Sequence, residues 1–147
     1  VRMLESGEDP RFVSRRMMIF ASEDIGLADP AALTQATAAD YALKNLGMPE
    51  AKFALTQACL YLALAPKSNA CKTAVMTAVR DLEDLVPGDV PAFLQDKTYK
   101  KVPGSRQADD LYIYPPDHGY QTDQEYMPEG LMGRRYYARS GNGQETL

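Results

Sequence analysis

DPRFVSRRMMIFASEDIGLADP, residues 9–30, decides the fold. Asp9 followed by Pro10 is a strong helix start: a side-chain cap precedes the one helical position that proline favours. Val13, Met17, Phe20 and Ala21 then recur at helical spacing and form an apolar stripe. The helix is expected to run to about Ile25, with Gly26 as its stop. Asp29 and Pro30 repeat the same start signal at once.

Helix follows helix from there. The second is rich in alanine, with Ala32, Ala36, Ala39, Leu43 and Leu46 as its stripe and Gly47 as its stop. Small residues along one face permit close approach of a neighbour. A third helix opens at Pro49 and ends before Pro66. Its second half, Ala58 to Ala65, is apolar all round and is expected at the centre of the core. Ser68 caps a fourth helix whose stripe is Cys71, Ala74, Val75, Ala78, Val79, Leu82 and Leu85, stopped by Pro87-Gly88. Asp89 to Gln95 adds a short helical turn. Val1 to Gly7 reads as the end of a helix, so the chain is expected to be part of a longer polypeptide.

The character changes after Asp96. Lys97, Lys100, Lys101 and Arg106 flank Pro103-Gly104 in a basic loop. Residues 112–147 hold six of the nine tyrosines, interrupted by proline and glycine. Disordered segments are poor in aromatic residues. This stretch therefore reads as an irregular arm pinned across the helices by tyrosine rings. The expected division is a helical core over 1–96, an arm over 97–139 and a disordered polar tail over 140–147. The fold class is all-α: a compact bundle of four to five helices with an irregular tyrosine-rich C-terminal arm.

The composition bounds the function. The chain has 147 residues, 45% of them apolar and 24% charged, with a net charge of −4. These are ordinary values for one globular domain, and they argue mildly against DNA as the main ligand. Cys59 and Cys71 sit in apolar helical patterns and read as small buried residues with free thiols, which suits a cytoplasmic protein. No apolar run approaches the roughly 20 residues that span a bilayer. Phosphate-binding glycine loops and metal-ligand spacings are absent from the sequence. His118 is the single histidine. Asp117 precedes it, but adjacent side chains point apart, so His118 reads as a loop residue. Glu23 and Asp24 lie near Arg15 and Arg16 on one helix, which favours ion pairing over acid–base catalysis. No catalytic, cofactor-binding or metal-binding residue is assigned.

Four blocks are more particular than a generic bundle needs. They are Phe20 to Pro30, Gly47-Met48-Pro49-Glu50, Tyr61 to Ala70, and Tyr126 to Gly130 with Gly133 to Tyr137. In this order they resemble the C-terminal domain of the replication-associated recombination protein A family. These are bacterial AAA+ ATPases also called maintenance-of-genome-stability proteins, with the Werner-helicase-interacting ATPase as eukaryotic relative. Tyr114-Pro115-Pro116-Asp117-His118 departs from that pattern, with proline where the family carries histidine.

The resemblance implies a clamp-loader-collar-like helical domain that drives homotetramer formation. ATP and Mg would belong to an ATPase module elsewhere in the parent protein. That parent would be a DNA-dependent ATPase acting at stalled replication forks, in recombination and DNA repair, with single-strand-binding protein and DNA as partners. On the residues, Phe12 and Ile19 give the first helix a second apolar side, and Arg15, Arg16, Glu23 and Asp24 would form its polar rim. The competing reading buries both sides within one chain. The alternative function is a binding module for DNA or a replication protein, carried by Lys100, Lys101, Arg134 and Arg135 beside Tyr136 and Tyr137.

Overall fold

The computed structural model describes residues 1–95 and 112–146. Every regular element among them is helical, so the all-α expectation holds. The helices are α1 (Arg2–Glu5), α2 (Pro10–Phe20), α3 (Ala31–Leu46), α4 (Ala51–Leu64) and α5 (Ala70–Asp84). The other regular elements are a π turn and short 3₁₀ turns. Two compact units emerge: residues 1–78 with 136–147, and residues 79–135. This division differs from the expected 1–96 and 97–139. Its boundary runs through α5, and the last residues belong with the first helices. The basic residues Lys97, Lys100, Lys101 and Arg106 lie outside the described residues.

In the first unit the start signals work as read. Asp9 is extended, and its carboxylate accepts the Arg11 N–H at 2.9 Å ahead of Pro10. The helix continues past Phe20 as a π turn over Ala21–Ile25. There the Ser22 hydroxyl donates to the carbonyls of Met18 and Ile19, competing with the regular ladder. Gly26 ends the run at φ 53° and ψ −132°, a region open to glycine alone. Asp29 Oδ1 accepts the Ala31 N–H at 3.1 Å and starts α3.

The core is built largely of alanine. α3 buries Ala32, Ala36, Ala39 and Leu43. α4 buries Ala51, Leu55, Ala58 and Leu62. These two helices make the most extensive pairing in the fold, and α2 packs on both. Ala21, Ile25 and Ala65 complete one end of the core, with Met17, Phe20 and Tyr61 packed against it. Ser14 is the buried surprise of α2. Its hydroxyl bonds the Asp40 carboxylate of α3, which also meets Lys44 Nζ at 2.6 Å. A donor at 14 satisfies an acceptor at 40, so neither is left orphaned in the core.

Several expected core positions are corrected. Leu46 is exposed at the end of α3. The second half of α4 is not buried all round: Cys59, Leu60, Ala63 and Leu64 face outward. A helix packed on neighbours from one side buries one face only, whatever lies on the other. Cys59 is exposed and Cys71 half-buried, against the expectation of buried thiols. On α5, Val75, Val79 and Leu82 of the apolar stripe are exposed.

The second unit opens with the last turns of α5 and continues, among the described residues, in short 3₁₀ turns and irregular chain. The 3₁₀ turn Ala92–Leu94 presents Phe93, which stacks on Tyr112 at 6.2 Å and meets Tyr126 edge-on at 6.0 Å. The Gly130 N–H donates to the Pro87 carbonyl at 3.1 Å. A side chain at Gly130 would overlap the Val86 carbonyl, so the approach requires glycine. Leu131 is buried beside it in sequence. Tyr112 and Tyr126 thus reach Phe93 of a 3₁₀ turn rather than a helix, and Tyr112, Tyr114, Tyr120 and Tyr126 all remain exposed.

This core makes a simple contrast. Leu62→Ala should cost about 2–5 kcal/mol by urea denaturation, because it opens a cavity between α4 and its neighbours. Leu46→Ala should stay within about 0.5 kcal/mol. Equal losses at the two positions would contradict the packing described.

Candidate functional site

Two of the particular blocks meet at one place. The Ser68 N–H donates to the Asp24 carbonyl at 2.8 Å. Tyr61 donates its hydroxyl to Asp29 Oδ2 at 2.8 Å, while Asp29 Oδ1 holds the start of α3. Lys67 places its ammonium 5.6 Å above the Phe20 ring and donates to the carbonyls of Leu62, at 3.0 Å, and Ala65. Glu23 pairs with Lys72, and that bond holds the Glu23 carboxyl below its ordinary value. Residues 20–30 and 61–72 therefore clasp each other. Their particularity is spent on joining the end of α2 to the α4–α5 corner.

The third member of the clasp is Glu145, which sequence reasoning missed. It lies in the 3₁₀ turn Gly143–Thr146 and is only 4% exposed. Its carboxylate accepts from the Ser140 hydroxyl, the Ser140 N–H at 2.9 Å, Ser68 Oγ at 2.7 Å and Tyr137 Oη at 3.0 Å. Ser140 first, with help from Ser68 and Tyr137, pulls its pKa down to about 2 against the opposing effect of burial. Ser68 does two jobs, since its Oγ also accepts the Ala70 N–H at 3.2 Å and caps α5. Asn142 Nδ2 donates to the Lys67 carbonyl at 2.9 Å. A side chain at Gly143, which sits at φ +52°, would overlap the Ala28 carbonyl and Pro66. The expectation of a disordered tail over 140–147 therefore fails for 140–146. Glu145 bonds a serine 77 positions earlier. No local pattern announces such a pair.

The candidate interface residues are only partly gathered. Phe12 and Ile19 are each 36% exposed on α2, so they are not buried within the chain as fully as the competing reading requires. The Arg15 guanidinium lies 5.5 Å over the Phe12 ring. Arg16 and Asp24 are exposed, but Glu23 is taken up by Lys72 rather than standing at a rim. A more exposed apolar set was missed: Phe53, Leu60 and Leu64 on the outside of α4.

Of the nucleic-acid candidates, Arg134 Nε stands 3.3 Å from Asp81, so that arginine answers a carboxylate. Arg135 is exposed, and Lys100 and Lys101 lie outside the described residues. His118 ends the 3₁₀ turn Pro115–His118, exposed, with Asp117 before it. It borders an open depression shared with Tyr120, Thr122, Asp123 and Tyr126. Among the described residues no cluster of His, Cys, Asp or Glu could hold a metal ion. No helix among them is long and apolar enough to cross a membrane.

The family model of the MgsA AAA+ ATPase C terminal matches residues 1–147. The chain belongs to this family. It is 44% identical, over 98% of its length, to an uncharacterized AAA domain-containing protein of Mycobacterium tuberculosis, covering 32% of that protein. It is 38% identical to replication-associated recombination protein A of Coxiella burnetii, over 98% of this chain and 33% of that protein. With the ATPase WRNIP1 of Dictyostelium discoideum it shares 39% identity over 93% of this chain and 16% of that protein. The chain spans about a third or less of these curated relatives. In this MgsA C-terminal domain, then, two of the blocks that carry the resemblance build the clasp.

The clasp makes stability depend on acid. The folded pKa of Glu145, about 2, lies below its ordinary 4.5. The stabilisation it supplies is therefore complete above 4.5 and disappears as pH falls through about 2. Glu145→Gln should lower the urea midpoint at neutral pH, and the gap to wild type should close on acidification. A gap unchanged down to acid pH would contradict the assignment.

Proposed function

We propose that this domain joins copies of an AAA+ ATPase acting in replication-associated recombination, and so sets the spacing of its ATP sites. The observation that carries the reading is the outward display of large apolar side chains on a small helical domain, Phe12 and Ile19 on α2 among them. Patches of this kind mark interaction surfaces. The names of the curated relatives supply the setting: an AAA domain, an ATPase, and recombination associated with replication. The catalytic module, with its ATP and Mg, belongs on this reading to the remaining two-thirds of the parent, a DNA-dependent ATPase of the cytoplasm also serving DNA repair. A homotetramer is the assembly proposed, with single-strand-binding protein and DNA engaged through the whole parent.

A second reading makes the domain itself a binding module for DNA or single-strand-binding protein. Exposed Arg135 favours it, together with Lys100 and Lys101 of the sequence. Arg134 weakens it, since its side chain is committed to Asp81.

Sedimentation of the 147-residue chain at tens of micromolar separates the two. The joining role predicts a species heavier than the protomer and no salt-dependent binding of single-stranded DNA. A clean monomer that binds single-stranded DNA at low salt would overturn it.

A further inference from the structure

We infer that the open depression beside His118 is a docking site for a basic peptide segment, whose guanidinium or ammonium groups it takes between tyrosine rings and carboxylates. The depression lies wholly within the second unit, and the inference does not depend on the joining role. Its volume is about 810 Å³, within the range of ligand-binding clefts.

The rings give the first reason. Tyr120 and Tyr126 line the depression together with His118, Thr122 and Asp123. Tyr120 has a φ of 62°, alone among the described non-glycine residues in being positive. Its N–H donates to the Pro115 carbonyl at 2.7 Å and closes the turn after Gly119, itself left-handed. Glycine or asparagine takes that conformation at lower cost. A tyrosine stands there nonetheless, and it is 79% exposed, so packing within the second unit makes little use of its ring. Tyr126 is held from behind: its ring meets Phe93 edge-on at 6.0 Å, and its hydroxyl lies 3.1 Å from Thr122 Oγ1. The faces of such rings carry partial negative charge and attract cations.

Charge selects the occupant. Residues 112–133 contain Asp117, Asp123, Glu125 and Glu129 and no Lys or Arg. That stretch alone carries −4, the net charge of the whole chain. All four carboxylates are exposed, and the ion pairs among the described residues use others. A phosphate backbone or an acidic peptide is repelled by such a surface. An apolar helix would strip water from Gln121 and Asp123 and return no hydrogen bond. A compact metal ion needs several ligands at once, and among the described residues no three His, Cys, Asp or Glu come together. An organic cation on a long stem needs no such convergence. Arginine fits best, because its planar group stacks on a tyrosine and forks onto a carboxylate.

The test titrates the 147-residue chain with a fluorescein-labelled Gly-Arg-Gly-Arg-Gly-Arg-Gly peptide at low salt, read by anisotropy. His118 is the single histidine, so its imidazole NMR signals report on this depression alone. The inference predicts saturable binding that shifts those signals. Tyr120→Gly suits the left-handed backbone and removes the ring, so circular dichroism should be unchanged while affinity falls about tenfold. Tyr120→Phe should stay within about twofold, since the ring remains. Asp123→Asn should weaken binding about threefold, and the exposed, remote Glu50→Gln should not. Absence of binding overturns the inference, and so does binding that leaves the His118 signals in place. Equal losses from Asp123→Asn and Glu50→Gln would overturn it too, by reducing the effect to net charge. A labelled oligodeoxythymidine that shifts His118 where the peptide does not would make this a nucleic-acid site instead.

Discussion

Alanine at the contact surfaces is the constraint on which the first unit depends. Ala21, Ala32, Ala36, Ala39, Ala51, Ala58 and Ala65 are all buried, while Ile25, Leu43, Leu55 and Leu62 supply the bulk. Small side chains draw helix axes together, and close axes leave little volume for a wide core. Each helix then spends one narrow stripe on its neighbours. What remains on α2, α3 and α4 points outward, whether polar or not. The exposed Phe53, Leu60 and Leu64 follow from this geometry directly. A bundle with a thicker leucine core would have turned more of each helix inward.

A core of small residues has few large contacts to fix the corners, and polar groups take over that work. The turn after α2 and the corner between α4 and α5 are joined by Asp24 with Ser68, Asp29 with Tyr61, and Glu23 with Lys72. Glu145 closes the same corner from the far end of the chain, with Ser68 between them serving both the helix cap and the carboxylate. A buried carboxylate with four donors is favourable because each lone pair it exposes is answered. Glu23 and Asp24, the adjacent carboxylates of the sequence, are thereby accounted for as fasteners, Glu23 through its side chain and Asp24 through its backbone carbonyl.

Local signals were legible. Asp9 and Ser68 as caps, Gly26 and Gly47 as stops, and the alanine stripe of α3 all act through neighbours within a turn or two. The family was legible for the same reason, since its blocks are contiguous. Which apolar stripe meets a partner was not, because periodicity reports that a stripe exists and not what covers it. Hence the second half of α4 looked buried on every side, and the stripe of α5 looked like core. Long-range polar pairs were equally hidden. Ser14 reads as an ordinary helix serine until Asp40 is beside it, and Glu145 as a tail residue until Ser68 is. The candidate interface on α2 was half legible: Phe12 and Ile19 do face out, but Glu23 had an undetected claim from Lys72.

The central claim is that outward apolar surface on these helices is covered by another copy of the chain. Mass action links such covering to stability, because a partner that binds only the folded form stabilises that form in proportion to the logarithm of the partner's concentration. The most direct measurement is the thermal unfolding midpoint across a hundredfold range of protein concentration. The account predicts a midpoint that climbs steadily with concentration. A midpoint that does not move would contradict it.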